Sequence, residues 1–291
     1  MKLGLNLEFA RSAELGVADA IKSAADAGYR RVEAYIYTPV QQPINSHLEV
    51  VTRTPYHHIH SSNSNAGELR ALLESVDCSL SAVDAHCSLL LPQVGVPFLK
   101  GAIDFAAEVQ CPFVVSDEGP LAVEWMDLDR SFDVMCFALE PVIAHAAERS
   151  VHYAMELHNA LTARPEYLMK LLARFGPAEL GVNFDTGNSF LAGNDPVDYL
   201  RQVAGRVVHV HVKDIPASQL HERGKVTGTR VGVAAGDGEV DLSGIVEVLR
   251  EVEYRGVLSV ECDTLDQAKR SLLYLQTLID DSASAEYPSG D

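Results

Sequence analysis

The sequence predicts a single (β/α)8 barrel of the TIM type, and three observations carry the prediction. Apolar, β-branched runs alternate with helix-patterned segments, the repeat of β-α units that feeds a parallel sheet. The chain has 291 residues, enough for one barrel of about 250 residues plus excursions. Four strand-like segments in the second half, Ala154-Met155-Glu156, Val182-Asn183-Phe184-Asp185, Val207-Val208-His209-Val210-His211 and Leu258-Ser259-Val260-Glu261, each end in a residue able to hold a divalent metal. At equal heights on successive strands of a barrel, those ends converge on one mouth.

The first strand is Lys2 to Leu7, followed by a helix near Val17 to Gly28 and a second strand at Arg31 to Ile36, with Glu8 and Glu33 near the mouth. Residues 37 to 65 hold Pro39, Pro43, Pro55, Asn45, Ser61, Asn63 and Asn65, which no regular element accommodates, so they form an excursion over the active-site end. A helix at Glu68 to Val76 leads into the third strand, Leu80 to His86, and one at Phe98 to Val109 into the fourth, Phe113 to Glu118. The next helix runs from Leu128 to Arg149, with Pro141 placed to kink or divide it. His152 to His158 is the fifth strand and Pro165 to Phe175 its helix; Leu180 to Asp185 is the sixth. Asn194-Asp195-Pro196 caps the helix Pro196 to Val203, with proline at the first helical position. Arg206 to Lys213 is the seventh strand. A glycine-rich loop of about 25 residues follows, up to Asp241, and a loop that long in a compact domain is usually functional or disordered. Leu242 to Val252 precedes the eighth strand, and a closing helix spans Asp266 to about Ile279. The expected domain is residues 1–280, with 281–291 a small, polar tail that frays.

Side chains two apart on a strand share a face. Glu156 therefore goes with Ala154 and His158, Asp185 with Asn183, His211 with His209 and Lys213, and Glu261 with Ser259 and Asp263. The opposite parity is apolar, three valines in the seventh strand included, and packs on an outer helix layer. Three carboxylates and one imidazole (Glu156, Asp185, His211, Glu261) suit a hard octahedral ion such as Mg²⁺ or Mn²⁺, with Co²⁺ a further candidate. The bound cluster carries a formal charge of about −1, which leaves a carboxylate free to act as base. Taken singly, each such residue is as well explained as a loop contact or helix cap; the common height and parity argue for a site. His209 lies a layer deeper and reads as a core histidine. His86, His60 and His158 are placed to line the pocket. Lys213 either neutralises a substrate oxygen or pairs with Asp214 or Asp185. Trp125, the single tryptophan, and Phe9, Tyr35 and Tyr37 either wall the pocket or pack.

The formal net charge of −18 disfavours polyanions, so nucleic acid is excluded as a substrate class, while a small sugar or polyol meets no such penalty. Cys78, Cys87, Cys111, Cys136 and Cys262 are odd in number and unclustered, the pattern of reduced thiols in a cytoplasmic protein. Met1-Lys2-Leu3-Gly4-Leu5-Asn6 enters the first strand directly, without the apolar segment of a signal peptide or membrane anchor. The closing helices offer a surface for a second copy or a partner subunit.

The pattern Met155-Glu156-Leu157-His158-Asn159, Asn183-Phe184-Asp185-Thr186-Gly187-Asn188, His209-Val210-His211-Val212-Lys213-Asp214, Gly236-Asp237-Gly238-Glu239-Val240-Asp241 and Val260-Glu261 resembles the xylose-isomerase-like barrel superfamily, specifically its sugar phosphate isomerases and epimerases. The resemblance covers nearly the whole chain. It implies that Glu156, Asp185, His211 and Glu261 bind one metal ion. It also implies that Glu156 and Glu261 face a ketose or keto-sugar from opposite sides, one removing and the other returning a proton through an enediolate. Return to the neighbouring carbon gives an isomer, and loss of a β-leaving group makes the enzyme a lyase or dehydratase acting on a keto-glycoside or inosose. Two departures from the ketose-epimerase pattern bear on substrate contacts: Asn188 stands where many members have histidine, and Thr162 where they have a second glutamate. His86 or His158 is the candidate base of a lyase, and His86, His158, Asn188 and Lys213 are the expected substrate contacts. The endonuclease branch needs an Asp-x-His pair in the loop after the seventh strand, where this chain has Arg230-Val231-Gly232. A sugar-binding subunit without turnover would be expected to lose a metal ligand, and none is missing.

Overall fold

Consecutive strands pair in parallel until the sheet meets its own first strand. In the computed structural model, which describes residues 1–37, 59–60, 65–119, 126–228 and 232–284, the strands are β1 (Lys2–Asn6), β2 (Arg31–Tyr37), β3 (Ile59–His60), β4 (Ser79–Asp84), β5 (Phe113–Ser116), β6 (His152–Glu156), β7 (Leu180–Asp185), β8 (Val207–Val212) and β9 (Val257–Val260). Eight of them make the barrel in the order β1-β2-β4-β5-β6-β7-β8-β9. Lys2 opposite Val257 and Leu5 opposite Val260 close it. The short β3 adds beside the end of β2, Ile36 opposite Ile59. The rest of the expected excursion lies outside the described residues, as do Trp125, the side chains of Tyr37 and His60, and residues 285–291.

The core divides as alternation requires. Tyr153, Met155, Phe184, Val210, Leu258 and Val260 belong to the large cluster between strands and outer helices. Ala82, Val115 and Ala154 form a separate small cluster, with Phe113 and Val208 packed against it. One expectation is corrected here, since Val208 joins this second cluster and does not oppose His209 and His211. The cause is a register shift between β7 and β8, where Val182 faces Val207 but Asn183 faces His209, leaving Val208 as the extra residue of a bulge. Gly181 makes room for it, because a Cβ there would sit 2.5 Å from Val208 Cγ2. The bulge resets the strand so that His209 and His211 stand opposite Asn183 and Asp185.

The helices are α1 (Phe9–Ser12), α2 (Val17–Asp26), α3 (Ala66–Ser75), α4 (Pro92–Glu108), α5 (Leu128–Glu148), α6 (Pro165–Arg174), α7 (Thr186–Leu191), α8 (Pro196–Val203), α9 (Leu242–Glu251) and α10 (Leu265–Ser284). Helix α4 starts before the expected Phe98 because Pro92 opens its first turn and Pro97 is carried inside it. Pro141 does not divide α5. Its missing N–H leaves the carbonyl of Phe137 unpaired within the helix, and Phe137 is 67% exposed, where water can replace that bond. Asp195 caps α8 as its sequence predicts, accepting from the N–H groups of Val197 and Asp198. Helix α10 runs on to Ser284, past the expected end near Ile279. Among the described residues, no helix is long and apolar enough to cross a membrane.

Candidate active site

The carboxyl ends of the strands surround a cavity of about 320 Å³ whose lining includes Asp84, His86, Glu156, His211, Lys213 and Glu261. At its floor, His211 is buried with its two ring nitrogens committed to opposite sides. Nε2 lies 2.9 Å from Oε1 and 3.0 Å from Oε2 of Glu33. Nδ1 faces three carboxylates, 3.5 Å from Glu261 Oε2, 3.7 Å from Glu156 Oε1 and 3.9 Å from Asp185 Oδ2. The four residues predicted from strand ends therefore converge. Glu33 is not at the mouth as expected but a layer below it, opposite Asn6 on β1. Glu8 does reach the cavity, paired with Arg11 at 3.0 Å.

A metal ligand of the imidazole type characteristically donates its far N–H to a carboxylate, which fixes the tautomer and aims the near nitrogen. Glu33 stands in that position, and Ser259 Oγ, donating at 2.8 Å, orients Glu33 in turn. Burial alone would raise Glu33, but His211 and His209 beside it, with the hydrogen bonds from His211 and Ser259, hold it at about 2. Against the effect of burial, Glu33 and Glu156 raise His211. Glu156, Asp185 and His211 offer ligand atoms within 4.8 Å of one another. Three carboxylates and an imidazole nitrogen, the last already oriented from behind, fit a divalent ion with oxygen preference.

His209 behaves as the core histidine its deeper position predicts. Its Nδ1 lies 3.0 Å from Asn183 Oδ1, and burial pushes it down to about 4, so the ring is neutral.

Asp185 serves two elements at once. Its Oδ1 accepts the N–H of Asn188 at 2.8 Å and caps α7, while Oδ2 takes Lys213 Nζ at 3.0 Å. Lys213 Nζ also reaches Glu261 Oε1 at 2.9 Å and Asn188 Oδ1 at 3.3 Å. Of the alternatives open for this lysine, pairing with Asp185 is realised and pairing with Asp214 is not. The Asp214 carboxylate instead accepts N–H groups of Ile215, Gly236, Gly238 and Val240, folding the long loop back against β8. The stem of Lys213 is packed against Gly187, where a Cβ would approach Lys213 Cγ to 2.7 Å. Burial pushes Glu261 up to about 8, against the pull of Lys213. Asn188 Nδ2 donates to Glu156 Oε1 at 3.2 Å, so this predicted substrate contact touches a predicted acid/base residue.

The ends of β4, β5 and β6 supply a second group. His86 and His158 turn their Nδ1 atoms to one oxygen of buried Asp117, at 3.3 and 2.9 Å, and their rings meet edge to face. Asn159 and the N–H of Gly119 donate to the same carboxylate at 2.6 and 3.0 Å. His86 Nε2 lies 2.9 Å from Asp84 Oδ1 and 3.5 Å from Glu156 Oε2. Next to Asp117, Glu118 accepts from Leu161 N and Thr162 Oγ1 at 2.7 Å each, fixing the loop that carries His158. Thr162, where the resembling epimerases have glutamate, is thus engaged behind the site.

Sequence reasoning places Glu33 near the mouth without a role, and it misses Asp84 and Asp117. The signal is present, because β2 alternates Arg31, Glu33 and Tyr35 with Val32, Ala34 and Ile36, the same polar-in parity that marks the later strands.

Fold and site together define a parallel (β/α)8 barrel with an acidic, imidazole-bearing centre at its carboxyl-end mouth. Residues 21–278 match the xylose isomerase-like TIM barrel family, and the chain belongs to it. Among curated proteins, it is similar to the uncharacterized protein MJ1311 of Methanocaldococcus jannaschii, 24% identical over 183 residues, which cover 60% of this chain and 59% of that protein. It is also similar to an inosose dehydratase of Lacticaseibacillus casei, 32% identical over 107 residues, 34% of this chain and 36% of the relative. The matches thus span between about a third and three fifths of these relatives' lengths. A solved structure of a D-tagatose 3-epimerase-like protein superposes with a TM-score of 0.78 at 18% identity, covering 99% of this chain and 100% of that one, a likeness of fold.

Proposed function

We propose that the protein is a divalent-metal-dependent sugar isomerase or epimerase acting on a ketose or keto-sugar. The observation that carries this reading is His211, its Nδ1 turned toward the carboxylates of Glu156, Asp185 and Glu261 while Glu33 holds its other nitrogen. These four residues would hold a Mg²⁺ or Mn²⁺ ion, which would supply Lewis-acid polarisation of a carbonyl oxygen. Glu156 and Glu261 reach the cavity from β6 and from the end of β9, with the two intervening strands between them. In the proposed reaction one glutamate takes the proton from the carbon next to the carbonyl, leaving an enediolate, and the other returns a proton. Delivery to the opposite face of that carbon yields an epimer, and delivery to the adjacent carbon an isomer. Asn188 orients Glu156, Lys213 holds Glu261, and His86 and His158 contact hydroxyl groups farther along the sugar.

One observation favours a second reading, elimination of water from a keto-polyol. His158 is about a third exposed to the cavity, and Asp117 fixes its Nδ1, which leaves Nε2 to take the proton from the carbon beside the carbonyl as base and pass it to the departing hydroxyl, which leaves as water. Similarity to an inosose dehydratase accords with this.

Exhaustive chelation is expected to remove turnover of a ketose and inosose panel, and Mn²⁺ or Mg²⁺ to restore it. Full turnover by protein shown by elemental analysis to be metal-free would refute the metal-dependent reading.

A further inference from the structure

We propose that Glu8 and Arg11 form a specificity pair at the mouth of the barrel, reading two adjacent hydroxyl groups of an uncharged sugar and turning away its phosphate ester. The inference rests on the sugar isomerase or epimerase reading of the site, and its test separates the two.

The pair stands across the mouth from His158. Going round the barrel, β2, β4 and β5 separate β1 from β6 on one side and β9, β8 and β7 on the other, so the two strands are diametrically opposed. Glu8 follows the end of β1, His158 follows the end of β6, and both line the cavity together with Arg11 and Tyr35. A sugar held at the centre through its carbonyl therefore meets imidazoles on one side and the Glu8–Arg11 pair on the other. Asn6 Oδ1 accepts the N–H of Glu8 at 2.9 Å, which fixes the turn out of β1. Arg11 Nη2 donates to Glu8 Oε2 at 3.1 Å, and Nε lies 3.0 Å from Oε1, close but not aligned for a hydrogen bond. A guanidinium has more N–H donors than that one bond uses, and the Arg11 side chain is 33% exposed. Acceptor and donor thus stand side by side, and two neighbouring hydroxyls, each able to donate and to accept, match them.

The alternative is a pair that merely staples α1. On an exposed helix, an ion pair at this spacing adds little. Here the helix has four residues, and Glu8 is 2% exposed in a cavity that also holds Asp84, Glu156 and Glu261. Burying a carboxylate there costs more than a staple returns, so stability does not account for the position of the pair. The other cationic groups lining the cavity, among the described residues, are already turned to carboxylates of the protein. His158 faces Asp117, His86 faces Asp84 and Asp117, His211 faces Glu33, and Lys213 faces Asp185 and Glu261. A phosphate ester extending past the reacting carbons would meet carboxylates whose cations are all engaged, a like-charge juxtaposition that costs binding. Hydroxyl groups meet no such penalty.

The manganese-loaded full-length protein is titrated calorimetrically with D-fructose, D-tagatose and an inosose, and with the terminal phosphate esters of the two ketoses. Wild type is expected to bind at least one free compound about tenfold or more tightly than either ester. Glu8→Gln keeps the volume of the side chain but leaves Arg11 without its opposite charge. It is expected to weaken the free compound about tenfold and to strengthen the esters, with Mn²⁺ affinity at the wild-type value. The complementary Arg11→Gln leaves Glu8 uncompensated and is expected to weaken the esters further than the free compound. An ester that binds wild type more tightly than every free compound overturns the inference. So does a free-to-ester affinity ratio unchanged from wild type in either variant shown by circular dichroism to be folded; both results leave the isomerase or epimerase reading standing. Binding of none of the compounds overturns that reading and this inference with it.

Discussion

Glu156→Gln and Glu261→Gln are each expected to lower turnover by about 10²- to 10⁴-fold in a folded protein, the range over which a positioned acid or base accelerates proton transfer. Glutamine keeps the volume of the side chain and, at 156, an oxygen that can still accept from Asn188 Nδ2. What it loses is the ability to take a proton from carbon and the charge that helps hold an ion, so occupancy is measured alongside kcat. Both variants are compared with wild type at saturating Mn²⁺. Turnover near the wild-type rate in either variant would show that the glutamate is not the acid or base.

The second large effect separates the two histidines of β8. His211→Ala removes the nitrogen that faces Glu156, Asp185 and Glu261, and metal affinity is expected to fall by more than the 10- to 100-fold typical of losing an outer partner. Glu33→Gln, which leaves His211 in place and weakens only the bond behind it, is expected to fall within about 10- to 100-fold. His209→Ala is expected to leave metal binding near wild type. It should lower stability by about 1–3 kcal/mol, because Asn183 Oδ1 loses its buried partner. Isothermal titration with Mn²⁺ and urea unfolding distinguish these outcomes. Equal losses of metal affinity at 209 and 211 would mean that the deeper histidine shares the ligand role.

The four predicted ligands were legible because the pattern that identifies them is local. Period-two alternation puts Glu156, Asp185, His211 and Glu261 on one parity of four successive strands, and closure of the barrel does the rest. The bulge at Val208 was not legible, since a run of valines and histidines reads the same with or without one extra residue; only the pairing with β7 reveals it. Helix α7 is not legible for a related reason, because the cap that Asp185 gives to Asn188 N follows from the chain turning at the strand end. Pro141 reads as a kink or a break, yet it is accommodated within its helix, as Pro97 is within α4. Glu33 and Asp117 act through His211, His86 and His158 across distances in sequence that no motif spans, so their roles required the closed barrel.

Proton exchange at carbon tests the central claim most directly. The metal-loaded protein is incubated in D₂O with a panel of ketoses, keto-glycosides and inososes and followed by proton NMR. Wild-type protein is expected to introduce solvent deuterium at the carbon beside the carbonyl of at least one compound, and Glu156→Gln to abolish that signal. A conserved carbon skeleton assigns isomerase or epimerase chemistry, and loss of water assigns elimination. Turnover of a panel compound with no deuterium entering at that carbon would contradict glutamate-mediated proton transfer.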